Sequence, residues 1–185
     1  TIVDVINSHK LKDEKILGQL NLAKKNFMLL TAHRQENVDS KKRFSGILNG
    51  MEKVYEKFGM NIVYPIHPRS RKMINELGIT VPEGLRLIDP VGYNDFLALE
   101  KNASIIFTDS GGVQEEACIL GTPCVTLRDN TERPETIDVG SNILAGTQQE
   151  RIVEAANHMS GDKKWRNPFG DGNTSRKIVD IVEGK

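Results

Sequence analysis

The stretch that decides the fold is residues 104–117, which read SIIFTDSGGVQEEA. An apolar run of strand length stops there at a small polar turn, and the turn opens directly into a helical pattern. Backbone N–H groups in the first turn of a helix have no partner within the helix, and the helix dipole adds partial positive charge to them. Gly111 and Gly112 would let a phosphate approach these groups closely, and Glu116, one turn later, would accept hydrogen bonds from sugar hydroxyls. The stretch therefore predicts a site for a phosphorylated, hydroxyl-rich ligand.

Strand-length apolar runs and helical patterns alternate along the rest of the chain. The six apolar runs are residues 27–31, 62–66, 85–88, 105–108, 124–127 and 142–144. The helical patterns are residues 1–8, 40–58, 69–77, 94–101, 113–120, 148–159 and 174–182. Most apolar runs are nearly continuous rather than alternating, which is typical of strands that helices cover on both faces. The alternation predicts an α/β fold, a Rossmann-like doubly wound sheet of about six mostly parallel strands, with the ligand beyond the carboxyl ends of the strands.

The bulk composition narrows the class of protein. A chain of 185 residues with 38% hydrophobic residues can bury one core, so residues 1–185 are expected to form a single domain. The 25 Lys and Arg residues balance the 25 Asp and Glu residues, so the bulk charge does not favour a nucleic acid partner. No apolar run approaches the roughly 20 residues that cross a bilayer, and there is no secretory leader, so we expect no membrane partner and a cytoplasmic location. Cys118 and Cys124 lack metal-ligand spacing and are expected to be core residues. We expect the protein to use no metal and no cofactor.

The loop after the first strand, TAHRQEN at residues 31–37, combines an imidazole, a guanidinium, a carboxylate and two amides. His33 would donate a hydrogen bond to a diphosphate oxygen and stabilise it as a leaving group. Arg34 would pair with phosphate or with Glu36. The alternative interpretation is a polar loop whose side chains bond only to one another.

The loops after the second and fifth strands add further cations. Pro68 restricts His67 to an extended conformation, and the arginines at positions 69 and 71 either contact a ligand or lie on the surface. After the fifth strand, Arg133 precedes a proline that can start a helical turn, which makes it the better phosphate candidate. Arg128 and Glu132 are expected to pair on a solvated face.

The loop after the third strand, DPVGYNDF at residues 89–96, mixes turn-forming residues with two aromatic side chains. Backbone groups at Val91 and the ring of Phe96 would flank a planar base such as uracil. A Phe one turn into a helix is more often a core residue, so the residues alone favour the core for Phe96. No metal cluster, catalytic triad or Walker-type lysine loop competes with the anion site that these loops predict.

The motifs, taken together and in order, resemble the non-hydrolysing UDP-N-acetylglucosamine 2-epimerases, two-domain nucleotide-sugar enzymes of glycosyltransferase-B architecture. The resemblance spans nearly the whole chain and rests on TAHRQEN at 31–37, HP at 67–68, TDSGGVQEEA at 108–117, GTP at 121–123, RPE at 133–135 and NPFGDG at 167–172. It implies that this chain is the C-terminal, UDP-binding half of such an enzyme. Residues 1–10 would then be the inter-domain helix, and residues 173–184 a helix that returns towards the missing N-terminal domain.

The resemblance also implies a role for ten residues. These are Ser110, Gly111, Gly112, His33 and Arg133 at the diphosphate, Glu116 at the ribose, Val91 and Phe96 at the uracil, and Arg34 and His67 at a second, regulatory UDP-GlcNAc. The implied place of Phe96 outweighs the preference for the core that its position alone gives.

The family reaction converts UDP-GlcNAc to UDP-ManNAc by inverting carbon 2 of the sugar. UDP is eliminated to give 2-acetamidoglucal, and UDP is added back after protonation of this intermediate from the other face. The family supplies the acid/base carboxylates from its N-terminal domain, so the resemblance implies that this chain binds UDP or UDP-GlcNAc and does not epimerise alone. It further implies that the full-length isomerase is a homodimer. The alternatives left open are a UDP-sugar glycosyltransferase, a hydrolysing epimerase, and a UDP-sugar sensor without catalysis.

Overall fold

The computed structural model describes residues 1–9 and 13–184, and six parallel strands form its centre. The strands are β1 (Met28–Thr31), β2 (Ile62–Pro65), β3 (Leu85–Ile88), β4 (Ile106–Thr108), β5 (Cys124–Thr126) and β6 (Asn142–Leu144). They lie in the order β3-β2-β1-β4-β5-β6, and every neighbouring pair is parallel. The predicted doubly wound sheet is confirmed, and each predicted strand lies within one residue of the observed one at either end.

Helices connect the strands and cover both faces of the sheet. The described residues contain α1 (Ile2–Ser8), α2 (Asp13–Leu20), α3 (Gln35–Val38), α4 (Lys41–Phe58), α5 (Pro68–Glu76), α6 (Tyr93–Asn102), α7 (Gly111–Leu120), α8 (Pro134–Asp138), α9 (Gln149–Met159) and α10 (Thr174–Val182). The patterns did not predict α2 or α3. A helix is observed at the start of the chain as α1, within the residues 1–10 that were expected to link two domains. Lys10, the last of those residues, lies outside the described residues, as does Lys185 at the end of the predicted domain.

The core has two layers because neighbouring side chains of a strand point to opposite faces. In β1, Met28 and Leu30 join the cluster under α4, α5 and α9, whereas Leu29 joins the cluster under α2, α6 and α7. All three side chains are almost completely buried. This double burial explains why the strands appear in the sequence as continuous apolar runs.

The strand order reverses its direction between β1 and β4, which is where a doubly wound sheet forms a crevice at its carboxyl edge. The chain runs from β1 to β3 in one direction along the sheet and from β4 to β6 in the other, with the connecting helices on opposite faces. Thr31 at the end of β1 pairs in register with Thr108 at the end of β4, so the loops that follow them begin side by side. In doubly wound sheets, ligands bind at this switch of direction.

Three expectations from composition concern metals, thiols and membranes. Cys118 and Cys124 are free, buried thiols, as predicted for core residues. Across residues 1–9 and 13–184, no group of three or more His, Cys, Asp or Glu side chains is arranged to hold a metal ion. Within the same residues, no helix combines the length and the apolar character that a membrane crossing needs.

Candidate functional site

The turn between β4 and α7 leaves the start of the helix open. Ser110 is the extended N-cap residue, its side chain makes no capping hydrogen bond, and its own N–H donates to Thr108 Oγ1 at 2.9 Å. The helix begins at Gly111, two residues before the predicted start, so both glycines belong to its first turn. The N–H groups of that turn therefore face the carboxyl edge of the sheet without a side-chain cap.

Neither glycine of this turn is required by the packing of the protein itself. A Cβ atom on Gly112 would lie 3.9 Å from its nearest neighbour, Ser110 Oγ. A Cβ atom on Gly111 would lie 3.8 Å from Glu132 Oε2 and 4.0 Å from Arg133 Cζ, which are ordinary contact distances. Neither residue has a positive φ that would demand glycine. The missing side chains leave space beside the first-turn N–H groups.

Arg133 lies next to this space. It is the N-cap residue of α8, and its backbone N–H donates to Thr131 Oγ1 at 3.0 Å. Its Nε lies 2.7 Å from Glu115 Oε1, and its Nη1 donates to the backbone oxygen of Glu132 at 2.9 Å. These contacts hold a partly exposed guanidinium beside the start of α7.

Asp109, which the sequence analysis did not select, holds the loop after β1 against the turn after β4. Its fully buried carboxylate accepts hydrogen bonds from the N–H groups of His33 at 3.1 Å and Arg34 at 2.9 Å, and from Asn37 Nδ2 at 3.1 Å. Hydrogen bonds to charged groups are among the stronger ones in proteins. The signal that could have found Asp109 is an acidic residue at the end of a fully buried strand.

His33, Arg34 and His67 meet on the β1 side of the crevice. The Nδ1 atom of His33 lies 3.4 Å from Asp109 Oδ1, and the ring centroids of His33 and His67 are 5.9 Å apart. Arg34 Nε donates to the backbone oxygen of Asp109 at 3.1 Å, and its Nη2 lies 4.0 Å from Glu132 Oε2. His67 also caps α5, where its Nδ1 accepts the N–H of residue 69 at 3.2 Å.

Arg128 corrects two expectations. The predicted pairing of Arg128 with Glu132 is confirmed at 2.8 Å, but the predicted solvated face is wrong because the Arg128 side chain is 6% exposed. Its Nε also donates to Glu36 at 2.9 Å, so Glu36 has Arg128 as its ion-pair partner and the suggested pair with Arg34 does not form. Arg128 thus ties the loop after β1 to the loop after β5.

The other arginines of this edge form exposed ion pairs. Arg69 binds Asp39 through two hydrogen bonds, at 3.1 and 2.6 Å, and Arg71 binds Asp89 at 2.9 Å. The surface interpretation of these two residues agrees with this geometry.

Glu116, Val91 and Phe96 lie on the α6 and α7 side of the crevice. Glu116 is 7% exposed and accepts a hydrogen bond from Tyr93 Oη at 2.9 Å. Burial raises the pKa of the Glu116 carboxyl group, and the hydrogen bond from Tyr93 partly offsets that rise. Val91 and Phe96 are half-buried and pack against the apolar cluster under these helices, so Phe96 contacts the core and is also partly exposed.

The family model for UDP-N-acetylglucosamine 2-epimerases matches residues 1–183. The chain belongs to this family. The family that the motifs predicted is therefore confirmed.

Relatives of known name agree with this membership. The chain is 49% identical over 195 residues to the UDP-N-acetylglucosamine 2-epimerase of Methanococcus maripaludis, covering 100% of this chain and 53% of the relative. It is 37% identical over 158 residues to the UDP-2,3-diacetamido-2,3-dideoxy-D-glucuronate 2-epimerase of Pseudomonas aeruginosa, covering 84% of this chain and 44% of the relative. The crystal structure of the Methanocaldococcus jannaschii UDP-GlcNAc 2-epimerase in complex with UDP-GlcNAc and UDP matches with a TM-score of 0.88 and 45% identity, covering 100% of this chain and 53% of that one. The chain spans about half the length of the curated relatives it matches.

Proposed function

We propose that this chain is the UDP-binding half of a UDP-N-acetylglucosamine 2-epimerase. The observation that carries the proposal is the start of α7, where the N-cap side chain makes no capping bond and two glycines leave open space beside the first-turn N–H groups and the Arg133 guanidinium. This position is the switch of strand direction, where doubly wound sheets bind their ligands. The Methanocaldococcus jannaschii relative, which matches over the whole chain, is described with UDP-GlcNAc and UDP bound.

The turn would act on the leaving group of the reaction. When the bond between the sugar and UDP breaks, negative charge develops on the diphosphate. The N–H groups of Gly111 and Gly112, the Ser110 hydroxyl, which makes no capping bond, the dipole of α7 and the Arg133 guanidinium would stabilise that charge without reorganising. In comparable oxyanion sites, removing a single donor costs about 3–4 kcal/mol of transition-state stabilisation.

His33 would add a further contact to the diphosphate. With Nδ1 facing the Asp109 carboxylate, Nε2 is the nitrogen left for the ligand. Nε2 would then donate a hydrogen bond to a phosphate oxygen while Asp109 keeps the ring oriented.

The uridine would lie on the α6 and α7 side. The Glu116 carboxylate accepts hydrogen bonds from the ribose hydroxyls while Tyr93 holds one of its oxygens. Val91 and the partly exposed ring of Phe96 flank the uracil. A second, regulatory UDP-GlcNAc would contact Arg34 and His67, which lie on the opposite side of the crevice, close to His33.

The other half of the enzyme would supply the acid/base carboxylates and cover α10. This helix exposes Ile178, Val179, Ile181 and Val182, each by half or more of its surface. Large apolar side chains exposed together are typical of an interface. Helix α10 is tied to α1 by the hydrogen bond from Ser175 Oγ to Asp4 at 3.0 Å, so the two helices proposed to link the halves lie together. A homodimeric, cytoplasmic full-length enzyme belongs to the same proposal.

Calorimetric titration and a turnover assay test the proposal. We expect the isolated chain to bind UDP at least about tenfold more tightly than UMP, because UMP lacks the second phosphate. We also expect no UDP-ManNAc from the isolated chain and UDP-ManNAc from the full-length protein. Equal affinity for UDP and UMP, or turnover by the isolated chain, would contradict the site or the division of roles. A product that requires an acceptor, or free N-acetylmannosamine, would instead indicate a glycosyltransferase or a hydrolysing epimerase.

A further inference from the structure

Glu100 is a buried acid that the site described above does not use. It lies on α6, its side chain is 0% exposed, and neither carboxylate oxygen receives a hydrogen bond from an N–H or O–H donor in the described part of the chain. An ionised carboxylate in such a place is strongly unfavourable. The group must therefore keep a proton or share one.

The neighbour that can share a proton is Glu116. Helices α6 and α7 pack together, and Tyr93 on α6 bonds Glu116. Glu100 lies seven residues after Tyr93, on the same face of α6, so it faces Glu116 as Tyr93 does, and burial and the nearby Glu116 charge raise the pKa of Glu100. Among the described residues, the other titratable groups close to the pair are Tyr93 on α6, Glu115 and Cys118 on α7, and Cys124 on β5. Helix α1 also packs on α7, and the ring of His9 at its end lies 5.2 Å from that of Tyr93. Helix α2, which packs on α6, contributes the apolar Ile16 and Leu17 to the cluster around the pair. None of these neighbours is a lysine or an arginine.

Geometry decides which acid holds the proton. Two carboxylates in contact do not both ionise readily, so one proton stays between them. Glu100 is completely enclosed, and burial together with the nearby Glu116 raises its pKa well above the ordinary value. Glu116 reaches the crevice and already accepts the Tyr93 hydroxyl, which stabilises its ionised form. The proton therefore belongs on Glu100 and the charge on Glu116.

We propose that Glu100 is a positioning residue that stays protonated at neutral pH and donates a hydrogen bond to the Glu116 carboxylate. A carboxylate has about four lone-pair sites. The carboxyl group of Glu100 and the hydroxyl of Tyr93 occupy two of them, which leaves two for the 2′ and 3′ hydroxyls of the ribose. The inference rests on the proposed ribose contact of Glu116. The hydrogen bond from Glu100 would orient the Glu116 carboxylate for that contact, and the shared proton would leave the pair with a single negative charge.

Two variants separate donation from mere space-filling. Glu100→Gln keeps a neutral donor of the same shape, whereas Glu100→Leu keeps the volume without a donor. Affinity would be measured for UDP and for 2′,3′-dideoxyuridine diphosphate, which lacks both hydroxyls. We expect Glu100→Gln to bind UDP as the wild type does, and Glu100→Leu to lose about tenfold in UDP affinity with no loss for the dideoxy ligand. Equal losses for both ligands, or no loss in Glu100→Leu, would overturn the positioning role.

The pH dependence of folding tests the proton on Glu100 without any ligand. In the unfolded chain Glu100 ionises near pH 4.3, whereas in the folded chain it keeps its proton to higher pH, so the folded state binds more protons. The stability of the wild type should therefore fall relative to Glu100→Gln as pH rises above about 4.3, and level off above the raised pKa of the folded state. The ratio of their unfolding constants should change by up to about tenfold per pH unit in that window. A ratio that is constant with pH would show that folded Glu100 is ionised.

The two readouts distinguish failure of this inference from failure of the proposed function. The ratio of UDP affinity to dideoxy-ligand affinity is compared between Glu116→Gln and the wild type. If the two ratios are equal, the proposed ribose contact is wrong, and so is the positioning role of Glu100. If Glu116→Gln loses UDP affinity selectively while Glu100→Leu does not, the ribose contact stands and only the inference about Glu100 is overturned.

Discussion

Replacing Gly112 with alanine separates the ligand role of the α7 turn from any structural role. The added Cβ would have no neighbour nearer than Ser110 Oγ at 3.9 Å, and the backbone at Gly112 is not in the left-handed region. Alanine is a better helix residue than glycine by about 0.5–1 kcal/mol in a helix interior. We therefore expect a melting temperature equal to that of the wild type, or higher by up to about 4 °C for a domain of this size.

The same methyl group should weaken UDP binding. Cα–Cβ bonds in a helix tilt towards its N-terminus, so the methyl would lie beside the first-turn N–H groups, where the diphosphate is proposed to bind. A hydrogen bond from a backbone N–H to a charged oxygen contributes about 1.5–3 kcal/mol. Losing one such bond lowers the affinity about 10- to 150-fold.

Calorimetric titration with UDP, paired with thermal unfolding, measures both effects on Gly112→Ala and on the neighbouring Gly111→Ala. The matched control is Gly18→Ala, because Gly18 is an exposed helical glycine on α2 whose added Cβ would meet no atom within 4 Å. The control should bind UDP as the wild type does. If both turn variants fold and bind UDP with unchanged affinity, the glycines do not line the diphosphate site and the proposed function loses its main support.

Two further predictions concern the charged groups around the turn. Arg133→Ala should lower UDP affinity by about tenfold or more, whereas Arg69→Ala, which removes an exposed ion pair with Asp39, should leave affinity unchanged and cost less than about 1 kcal/mol of stability. Calorimetry and urea unfolding measure both variants, and an equal effect on UDP binding would refute the assignment of Arg133. Asp109→Ala leaves three N–H donors without their acceptor, so urea unfolding should show a loss of at least about 2 kcal/mol. A loss below about 0.5 kcal/mol would show that water replaces the carboxylate and that Asp109 does not hold the loop.

The strands were predictable because a strand that is buried on both faces carries apolar residues at nearly every position. In β1 and β4 nearly every side chain is enclosed, so the apolar run in the sequence coincides with the strand in space. The long helix α4 was predictable for a different reason. Ser40 caps its start, Gly59 ends it with a φ of 64°, and its apolar residues fall on one stripe. Once strands and helices alternate, topology alone places the loops at one edge.

Helix α3 and the ion pair of Arg128 with Glu36 were not predictable from local patterns. Helix α3 is only four residues long, and Asn37 within it is held by Asp109, which lies 72 positions away in the chain. Glu36 lies 92 positions from Arg128. The local sequence does not show which charged loop residues are buried, because their exposure depends on which distant loop folds over them. Helix α3 and the Arg128–Glu36 ion pair therefore depend on tertiary contacts rather than on local secondary-structure propensity.

Two buried acids, Asp109 and Glu100, lie beside the proposed site. Arg69 and Arg71 were candidates because cations gather near the edge, yet both form exposed ion pairs with neighbouring acids. Asp109 and Glu100 stand out differently, since one ends a buried strand and the other occupies the apolar stripe of α6, three residues after Leu97. Burying a carboxyl group is costly unless a specific partner offsets it. In this chain the partners are the loop after β1 and the Glu116 carboxylate, which are the groups proposed to contact the diphosphate and the ribose.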